Sequence, residues 1–568
     1  MTAPIVVDCH SHVFNAEDLP IDGFIKRLSP VPAFLTGFLS WPLDKLTAWV
    51  AENGANEIQD LLNRLQGLEA VAAPAVAVTT DAEMEQRLVA AWPFPTATPG
   101  RELELPGSAE DALADQIRQA TPEQLAELEA WRAEWLGATR VEEGVFDAAK
   151  ALAHGITGAA KRYGAALNRI CQPRHLVAAE LAATYPSVHL FAPALVDFEY
   201  TARDKPATDI QTQIAAHSLV AKLAAAGELP GRPDVRLHPM VGYCPYREVA
   251  NSELRDWDVS APTANGYVPY ADPQTATDAD RYTAAMTFDP TRARPLNRPT
   301  GPWRASRLQL HGVNRAIDLV RHAVELGGFA GVKVYPPSGF LPIGNVWRFG
   351  EVRGRRLDAA LRTLYAYCEA QQVPILTHAS HSNGFDDGYD DFAAPTGWAL
   401  VLQDYPQLRL CFGHFGHMQG IGKDAARPSA DSWAERFLAL IDEHPHVYAD
   451  VGCSKFPVDP GYRARYLEVL AAILDQPDPD VQTKRRRRLM FGTDFWLNAL
   501  AAEHRQFLDV FRDEIEGHFG VPARDEFMGG NALRFLGLRG EDDEPDPANL
   551  NRQRLIAFYE GNPVPDWF

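Results

Sequence analysis

The sequence predicts an α/β fold, a TIM-like (β/α)8 barrel with a large helical insertion after the first strand. Two patterns indicate it. Short apolar runs recur eight times, and helical patterns with apolar residues three and four positions apart lie between several of them. Alternating strands and helices favour a parallel sheet, and eight repeats favour a closed barrel over an open sheet. The strand-like runs cover residues 5–9, 188–196, 235–242, 329–335, 373–377, 408–413, 446–451 and 488–493.

Helical patterns over 313–326 and 357–371 precede the fourth and fifth of these runs. One barrel with long insertions accounts for the length of the chain. The expected division has four parts. These are 1–38 for the first barrel strand and active-site loop, 39–175 for the helical insertion, 176–540 for the rest of the barrel, and 541–568 for a C-terminal tail that docks on the barrel or on a partner subunit.

The insertion over 39–175 is helical by pattern. Thr121, Pro122 and Gln124 fit an N-cap, a proline in the first turn and a capping-box glutamine. The apolar stripe that follows has to be buried, and the sequence leaves open whether it covers the barrel mouth or packs on a second subunit. The insertion over 244–308 is rich in Pro, Asp, Thr and Tyr, which predicts an extended loop.

Polar side chains of metal-binding or acid–base type end several of the strand-like runs. His10 and His12 follow the first run, and residues two apart on an extended chain point to the same side. His378, His414 and Asp494 end later runs, at carboxyl ends that open on one face of a parallel barrel. We therefore expect these side chains to converge on one site.

This residue set has a definite chemistry. Three neutral imidazoles and one carboxylate bind zinc and leave an open position for water, whose pKa falls from about 16 to about 7. In this hypothesis Asp494 takes the proton of the water, and His414 shuttles the proton or holds the developing oxyanion. Lys333 lies inside an otherwise apolar run, where a lysine is costly unless it is paired or modified.

The chain resembles the amidohydrolase superfamily, and within it the amidohydrolase-related branch of metal-dependent hydrolases and decarboxylases similar to aminocarboxymuconate-semialdehyde decarboxylase. The motifs that carry the resemblance are DCHSH, GVKVYP, ILTHAS, CFGHFGH and FGTDFW, in the family's order. Gly530–Leu538 is similar to the helix that closes the family's barrel. The resemblance covers both ends and the second half of the chain, whereas 39–312 matches only weakly.

The resemblance implies a ligand set. It gives His10 and His12 as first-strand ligands, His378 as the fifth-strand ligand, and Asp494 as the eighth-strand carboxylate that contacts both the metal and the water. These four residues are therefore the predicted metal ligands, and Asp494 is also a predicted catalytic residue.

The resemblance leaves the number of metal ions open. His414 would be the sixth-strand histidine, which activates water in single-metal members and binds the second ion in two-metal members. Lys333 lies where two-metal members carry a carbamylated bridging lysine. We expect one divalent ion per chain, zinc by its ligand types, and two ions if Lys333 is carbamylated. Lys333 and His414 are thus candidates for binding a second metal or the substrate.

We predict a metal-dependent hydrolase that cleaves a C–N or C–O bond of a small molecule with metal-activated water. The alternative is a metal-dependent decarboxylase, a carbon–carbon lyase, at the same site, and the sequence separates the two poorly. A barrel that binds metal or ligand without catalysis is disfavoured, because all the predicted ligands and both acid–base candidates are present. The substrate itself depends on loops without a recognisable match.

Five residues near the predicted mouth are weaker candidates. Arg247, Arg304 and Arg307 lie in or beside the second insertion and are candidates to bind an anionic group, although solvated arginines are the favoured interpretation. Lys455 follows the seventh run and has the better position. Trp496, two residues after Asp494, either lines the pocket or packs.

Two further features carry less chemistry. His381 is a candidate to orient a metal ligand, and His417 is better interpreted as a neighbour of the site than as a ligand. The basic run over 484–488 resembles a nuclear signal, but a solvated loop at a helix C-terminus is the favoured interpretation in an acidic protein.

Composition limits the partners. A formal charge of −21 argues against nucleic acid and anionic membranes. Six cysteines, at 9, 171, 244, 368, 411 and 453, show no paired spacing, which predicts reduced thiols in a cytoplasmic protein. We expect no signal peptide, because a core strand begins near residue 4, and no apolar run reaches about 18 residues. The expected partner is a small-molecule substrate, and a homo-oligomer stays open.

Overall fold

The computed structural model describes the elements that carry the predicted site. The described residues are 4–19, 54–65, 121–123, 172–201, 205–251, 265–269, 286–293, 296, 308, 310–381, 384–386, 388–418, 432–452, 457–459, 461–495 and 504–568. The strands are β1 (Val7–Ser11), β2 (Leu190–Pro193), β3 (Arg236–Leu237), β4 (Met240–Tyr243), β5 (Asn265–Pro269), β6 (Met286–Ala293), β7 (Gly331–Val334), β8 (Ile375–His378), β9 (Leu410–Gly413), β10 (Val447–Asp450) and β11 (Leu489–Met490).

The helices surround these strands. The α-helices are Gly54–Leu65, Arg174–Thr184, Ile210–Ala225, Pro245–Asn251, Ala316–Leu326, Asn345–Ala370, Pro395–Asp404, Trp433–Glu443, Arg463–Leu474, Pro479–Arg486, Phe507–Asp525, Asn531–Phe535 and Leu550–Tyr559. Short 3-10 helices cover Ala16–Asp18, Pro336–Ser338, Asp390–Ala393, His414–Met418 and His504–Gln506, and Glu526–Gly530 is a π-helix. Among the described helices, none is both long enough and apolar enough to cross a membrane.

Two parallel sheets form the core. One has the order β1-β2-β3 and the other the order β11-β10-β9-β8-β7-β4. Most of their residues are fully buried, as expected for parallel strands covered on both faces. Every predicted strand-like run contains a strand, so these predictions are confirmed. The third run is split into β3 and β4 around His238 and Pro239, and proline cannot donate a ladder hydrogen bond.

Hydrogen bonds connect the two sheets at two places. The Leu195 N–H donates to the Met240 carbonyl at 2.9 Å, which joins the end of β2 to β4. At the second place the Cys9 N–H donates to the Phe491 carbonyl at 3.4 Å, directly after β11. Asp8 adds to this junction, because the Thr493 hydroxyl donates to its Oδ2 at 2.6 Å. The two sheets are therefore joined through β2 and β4 and through β1 and the segment after β11.

The register brings the carboxyl ends of the central strands to one level. His378 at the end of β8 pairs with Gly413 at the end of β9. Lys333 in β7 pairs with Leu376 in β8. Residues at or just after these ends, far apart in sequence, thus share one edge of the sheet.

A buried ion cluster holds the segment after β1 against the insertion. Arg174 is fully buried and donates from Nε to Asp18 Oδ2 at 2.9 Å, and it also pairs with Glu57. Glu57 lies on helix Gly54–Leu65, whose buried apolar side chains pack against helix Ile210–Ala225. This agrees with the predicted helical character of the first insertion. Pro122 and Glu123 are also helical, and the rest of 39–171 lies outside the described residues.

The second insertion differs from its prediction. Within the described residues, β5 and β6 form an antiparallel pair, and helix Pro245–Asn251 opens the segment. The prediction of an extended loop over 244–308 is therefore wrong for these elements. β6 packs on helix Asn345–Ala370, so the pairing is supported from outside the insertion.

The C-terminal tail packs on the residues between β3 and β4 and on helix Leu550–Tyr559. Its last residue, Phe568, is buried, with its ring 5.5 Å from the ring of Tyr559 and 5.4 Å from that of His238. The Tyr559 hydroxyl lies 3.1 Å from His238 Nε2. This is one of the two arrangements that the sequence left open.

The basic run is not a loop throughout. Lys484, Arg485 and Arg486 form the last turn of helix Pro479–Arg486, so the loop prediction is wrong for these three residues. Positive charge at a helix C-terminus is favourable, as the sequence analysis expected. Arg485 pairs with Asp442 at 2.7 Å, and Arg488 pairs with Glu541 at 3.1 Å.

Candidate metal centre

Seven ionisable side chains meet at the carboxyl ends of the parallel strands. All are buried except His12, whose side chain is 13% exposed. They come from β1, β7, β8 and β10, from the residues directly after β1 and β9, and from the segment that follows β11, where Asp494 lies four residues past the end of the strand. The set consists of His10, His12, Lys333, His378, His414, Asp450 and Asp494.

His12 and Asp494 face each other in the centre of the site. His12 Nδ1 lies 2.7 Å from the Ala194 carbonyl oxygen, so this nitrogen carries the proton in the neutral ring. The unprotonated Nε2 then points at Asp494 Oδ1, 2.9 Å away. Two lone pairs at this distance repel each other unless a cation or a proton lies between them.

His10 adds a third ligand atom. Burial and the neighbouring Lys333 lower the pKa of His10, which keeps the ring neutral. Its Nδ1 lies 3.0 and 3.2 Å from the two oxygens of Asp450, so the proton is on Nδ1. Its Nε2 lies 3.8 Å from Asp494 Oδ1 and accepts a hydrogen bond from Lys333 Nζ at 2.9 Å.

These three atoms fit a divalent cation. His10, His12 and Asp494 each offer one ligand atom, and these atoms, called the three-atom set, lie within 4.8 Å of one another. Although Asp494 is buried, neither of its oxygens accepts a hydrogen bond from the described residues while His12 Nε2 is unprotonated. A buried carboxylate without donors is costly, and a bound cation removes that cost. Imidazole nitrogens and a carboxylate oxygen are ligands that zinc accepts.

Asp494 is held in the ionised form. Burial acts to raise its pKa, but a hydrogen bond from His12 and the positive charge of His12, His414 and His10, when these rings are protonated, hold the pKa well below its ordinary value. Its backbone has a positive φ of 47°, and its N–H donates to the His10 carbonyl at 2.6 Å. Left-handed backbone at a non-glycine residue is strained, and such residues cluster at functional sites.

His378 and His414 form a second pair. His414 Nε2 lies 3.0 Å from His378 Nδ1, and His414 Nδ1 lies 3.2 Å from the Gly452 carbonyl. His378 Nε2 lies 3.0 Å from the Ser380 hydroxyl. His378 is thus in the site, as predicted, but its nearest titratable partner is His414, and it is not part of the three-atom set.

Lys333 lies beside the three-atom set. Burial lowers its pKa, while the carboxylates of Asp494 and Asp450 act to raise it. The sequence prediction that it needs a partner is met by His10 Nε2. This placement is compatible with one metal or two.

Asp450 was missed by the sequence analysis. It ends the seventh strand-like run, as His378 ends the fifth run, so the same criterion applied to all eight runs would have found it. Burial acts to raise its pKa, but His10, His414 and the Gly452 N–H hold the pKa well below its ordinary value. Asp450 is therefore a buried anion next to the metal ligands.

Two weaker candidates do not take the predicted roles. His381 is half exposed, with its ring nitrogens 3.0 and 2.9 Å from Asp390 and Asp391, and Ser380 contacts His378 in its place. Arg247 is buried and pairs with Asp197 and Glu199, so its guanidinium is already engaged. The remaining candidates lie outside the described residues or have undescribed side chains: Arg304, Arg307, Lys455, Trp496 and His417.

The comparisons with known proteins agree with this chemistry. Residues 262–538 match the amidohydrolase family model, and this segment belongs to the amidohydrolase superfamily. The match includes Lys333, His378, His414, Asp450 and Asp494. No curated protein matches the chain.

Solved structures are similar only at low identity. An uncharacterised TIM-barrel protein from Bordetella bronchiseptica is 17% identical, with a TM-score of 0.26, and the match spans 39% of this chain and 61% of that one. A zinc-bound amidohydrolase from Burkholderia multivorans is 17% identical over 37% of this chain and 64% of that one, with a TM-score of 0.24. A proposed metal-dependent hydrolase from Lactobacillus casei is 12% identical over 94% and 95%, with a TM-score of 0.30. At these scores the likeness carries no argument.

Proposed function

We propose that the chain is a metal-dependent hydrolase of the amidohydrolase type that cleaves a C–N or C–O bond of a small molecule. The observation that carries the proposal is the convergence of His10, His12 and Asp494, whose ligand atoms lie within 4.8 Å with an unsatisfied buried carboxylate among them. Closure of the two sheets into a (β/α)8 barrel is part of the proposal. The hydrogen bonds that join the end of β2 to β4, and β1 to the residue after β11, support it.

A divalent cation, zinc by its ligand types, would supply Lewis acidity and lower the pKa of a water from about 16 to about 7. His10 and His12 would hold the cation through Nε2, because Nδ1 of each ring is committed to Asp450 or Ala194. Asp494 would bind through Oδ1 and accept a proton at its other carboxylate oxygen. The depressed pKa keeps this carboxylate ionised at neutral pH, and therefore able to bind a cation.

His414 completes the acid–base set. Its Nδ1 faces the Gly452 carbonyl, which leaves Nε2 to hold a proton or to donate one to the leaving group. Nε2 lies 3.0 Å from His378 Nδ1, so the two rings can share one proton. Burial of both rings excludes water from this pair.

Lys333 has to give up its contact when a cation binds. Its Nζ uses the His10 Nε2 lone pair that the cation would need. With one ion per chain, Lys333 would have to leave the His10 Nε2 lone pair to the cation. With two ions, Lys333 would instead carry a carbamate between the three-atom set and the His378–His414 pair.

Metal analysis tests the proposal. We expect at least one equivalent of divalent metal per purified chain, lost in His10→Ala. Asp494→Asn should keep metal and lose turnover of acyl and lactone test compounds. A wild-type protein that binds no metal contradicts the proposal, and so does unchanged turnover in Asp494→Asn. The decarboxylase alternative uses the same residues, and release of carbon dioxide from a carboxylated compound, without hydrolysed product, would select it.

A further inference from the structure

Asp450, at the carboxyl end of β10, is surrounded by hydrogen-bond donors. It is fully buried, and four groups donate to it. His10 Nδ1 contacts both oxygens, at 3.0 and 3.2 Å. The N–H groups of His414 and Gly452 donate to Oδ1 at 3.1 and 2.9 Å, and the Cys411 thiol contacts Oδ2 at 3.6 Å.

The contact with His10 decides which ring nitrogen carries the proton. Because the N–H groups of His414 and Gly452 and the Cys411 thiol donate to Asp450, both of its oxygens act as acceptors, so the facing Nδ1 must donate. The lone pair of His10 is therefore on Nε2, which points towards Asp494. A carboxylate behind a histidine in this way fixes both the tautomer and the orientation of the ring.

The contact with His414 acts on the other half of the site. His414 has a left-handed backbone, with a φ of 67°, which is strained for a residue with a Cβ atom. Asp450 Oδ1 accepts the His414 N–H in this conformation. The same oxygen accepts the Gly452 N–H, and the Gly452 carbonyl lies 3.2 Å from His414 Nδ1. Backbone and ring of His414 are thus both held through Asp450.

We propose that Asp450 is a positioning residue that sets the two halves of the centre together. It keeps the His10 Nε2 lone pair available to the cation, and it directs His414 Nε2 towards His378. Among the described residues of the three-atom set, Asp450 contacts only His10, and it does so at Nδ1 and not at the ligand atom Nε2. It therefore acts on the cation through its neighbours. The inference rests on the proposed function, because it assigns Asp450 a role towards the cation of that site.

Asp450→Asn tests the role with a nearly isosteric change. The asparagine Oδ1 can still accept the N–H groups of His414 and Gly452, but its NH2 group then faces His10 Nδ1. Two donors cannot face each other, so the His10 proton moves to Nε2 and the ligand lone pair is lost. We expect zinc affinity of the metal-free protein to fall about 10- to 100-fold. The measurement is zinc titration in competition with a chelator.

Asp8→Asn is the matched control. Asp8 is also a fully buried aspartate, on the same strand as His10, but its oxygens accept from Thr493 and from the His10 backbone N–H. It touches no imidazole ring, so its amide should leave zinc affinity unchanged. Circular dichroism and thermal unfolding establish that both variants are folded.

The outcomes separate this inference from the proposed function. If wild-type protein and Asp8→Asn bind zinc and Asp450→Asn binds it equally tightly, the positioning role is overturned and the metal centre stands. If the wild-type protein binds no zinc, both fall.

A second variant covers the case in which Asp450→Asn does not fold. Asp450→Ala leaves space for a small carboxylate, and formate should restore zinc affinity in a concentration-dependent way. Formamide, which has the same shape without the charge, should not. Failure of formate to restore binding overturns the role.

Discussion

Replacing Lys333 with methionine should tighten zinc binding about 10- to 100-fold. Lys333 Nζ lies 2.9 Å from His10 Nε2, and so uses the lone pair that a cation in the three-atom set requires. A hydrogen bond from a charged donor contributes about 1.5 to 3 kcal/mol, and about 1.4 kcal/mol corresponds to a tenfold change in affinity. Methionine has a similar length and cannot donate, so the binding cation no longer has to displace Lys333.

The assay is chelator competition on metal-free protein, with metal per chain counted by elemental analysis. Lys222→Met is the matched control. Lys222 is also a buried lysine, with a pKa that burial lowers to about 8, but it lies on helix Ile210–Ala225 beside the ring of Phe558. Removal of its charge should leave zinc affinity unchanged.

Two results would refute this reasoning. Equal affinity in Lys333→Met and wild type would mean that Lys333 does not compete for His10. Loss of metal in Lys333→Met, together with two ions per wild-type chain, would identify Lys333 as a bridging carbamate.

Two further predictions concern stability. Arg174→Met leaves Asp18 and Glu57 buried without their counterion, so the free energy of unfolding, measured in urea, should fall by about 3 to 5 kcal/mol. The triple variant Arg174→Met, Asp18→Asn, Glu57→Gln should recover most of this loss, because its buried groups are uncharged. A triple variant as unstable as the single one would contradict this. Burial lowers the pKa of His238 to about 4, so protonation of this ring favours the unfolded chain. The contribution of His238 to the free energy of unfolding should therefore fall by about 2 kcal/mol when the pH is lowered from 7.5 to 5. His238→Gln should remove that part of the pH dependence, and an unchanged pH dependence would show that other groups cause it.

The parts of the site that follow from local sequence were predictable. An apolar run that ends in a polar residue predicts both a buried strand and a group at its carboxyl end, and this criterion found His378, His414 and Asp494. It would have found Asp450 as well. This criterion does not show which ring nitrogens face each other. The pairing of His378 with His414 depends on side-chain torsions and on the register of β8 and β9.

Contacts distant in sequence account for the other differences. Arg247 follows β4, but its guanidinium pairs with Asp197, which lies fifty residues earlier in the sequence. The residues next to Arg247 in the sequence therefore do not show that it already has a partner. β5 and β6 carry few aliphatic residues, and their pairing is supported by helix Asn345–Ala370, which the composition of the insertion does not reveal.

The charges of the site lead to a last prediction. Asp450 and Asp494 are both held ionised, and Lys333 lies next to them. A divalent cation neutralises the two carboxylates, which leaves the charge of Lys333 in excess beside it. Metal binding should therefore displace the Lys333 proton, and zinc affinity should rise with pH, by up to about tenfold per pH unit, below the pKa of Lys333 in the metal-free protein.

Calorimetric titration at one pH in two buffers with different heats of ionisation measures the protons released. The wild-type protein should release up to about one proton per zinc ion, and Lys333→Met should release none. Because burial lowers the pKa of His10 and its Nδ1 faces Asp450, its Nε2 already presents a lone pair and this ring has no proton to lose on binding. Equal proton release in Lys333→Met and wild type would assign the proton to another group and contradict the charge balance argued for Lys333.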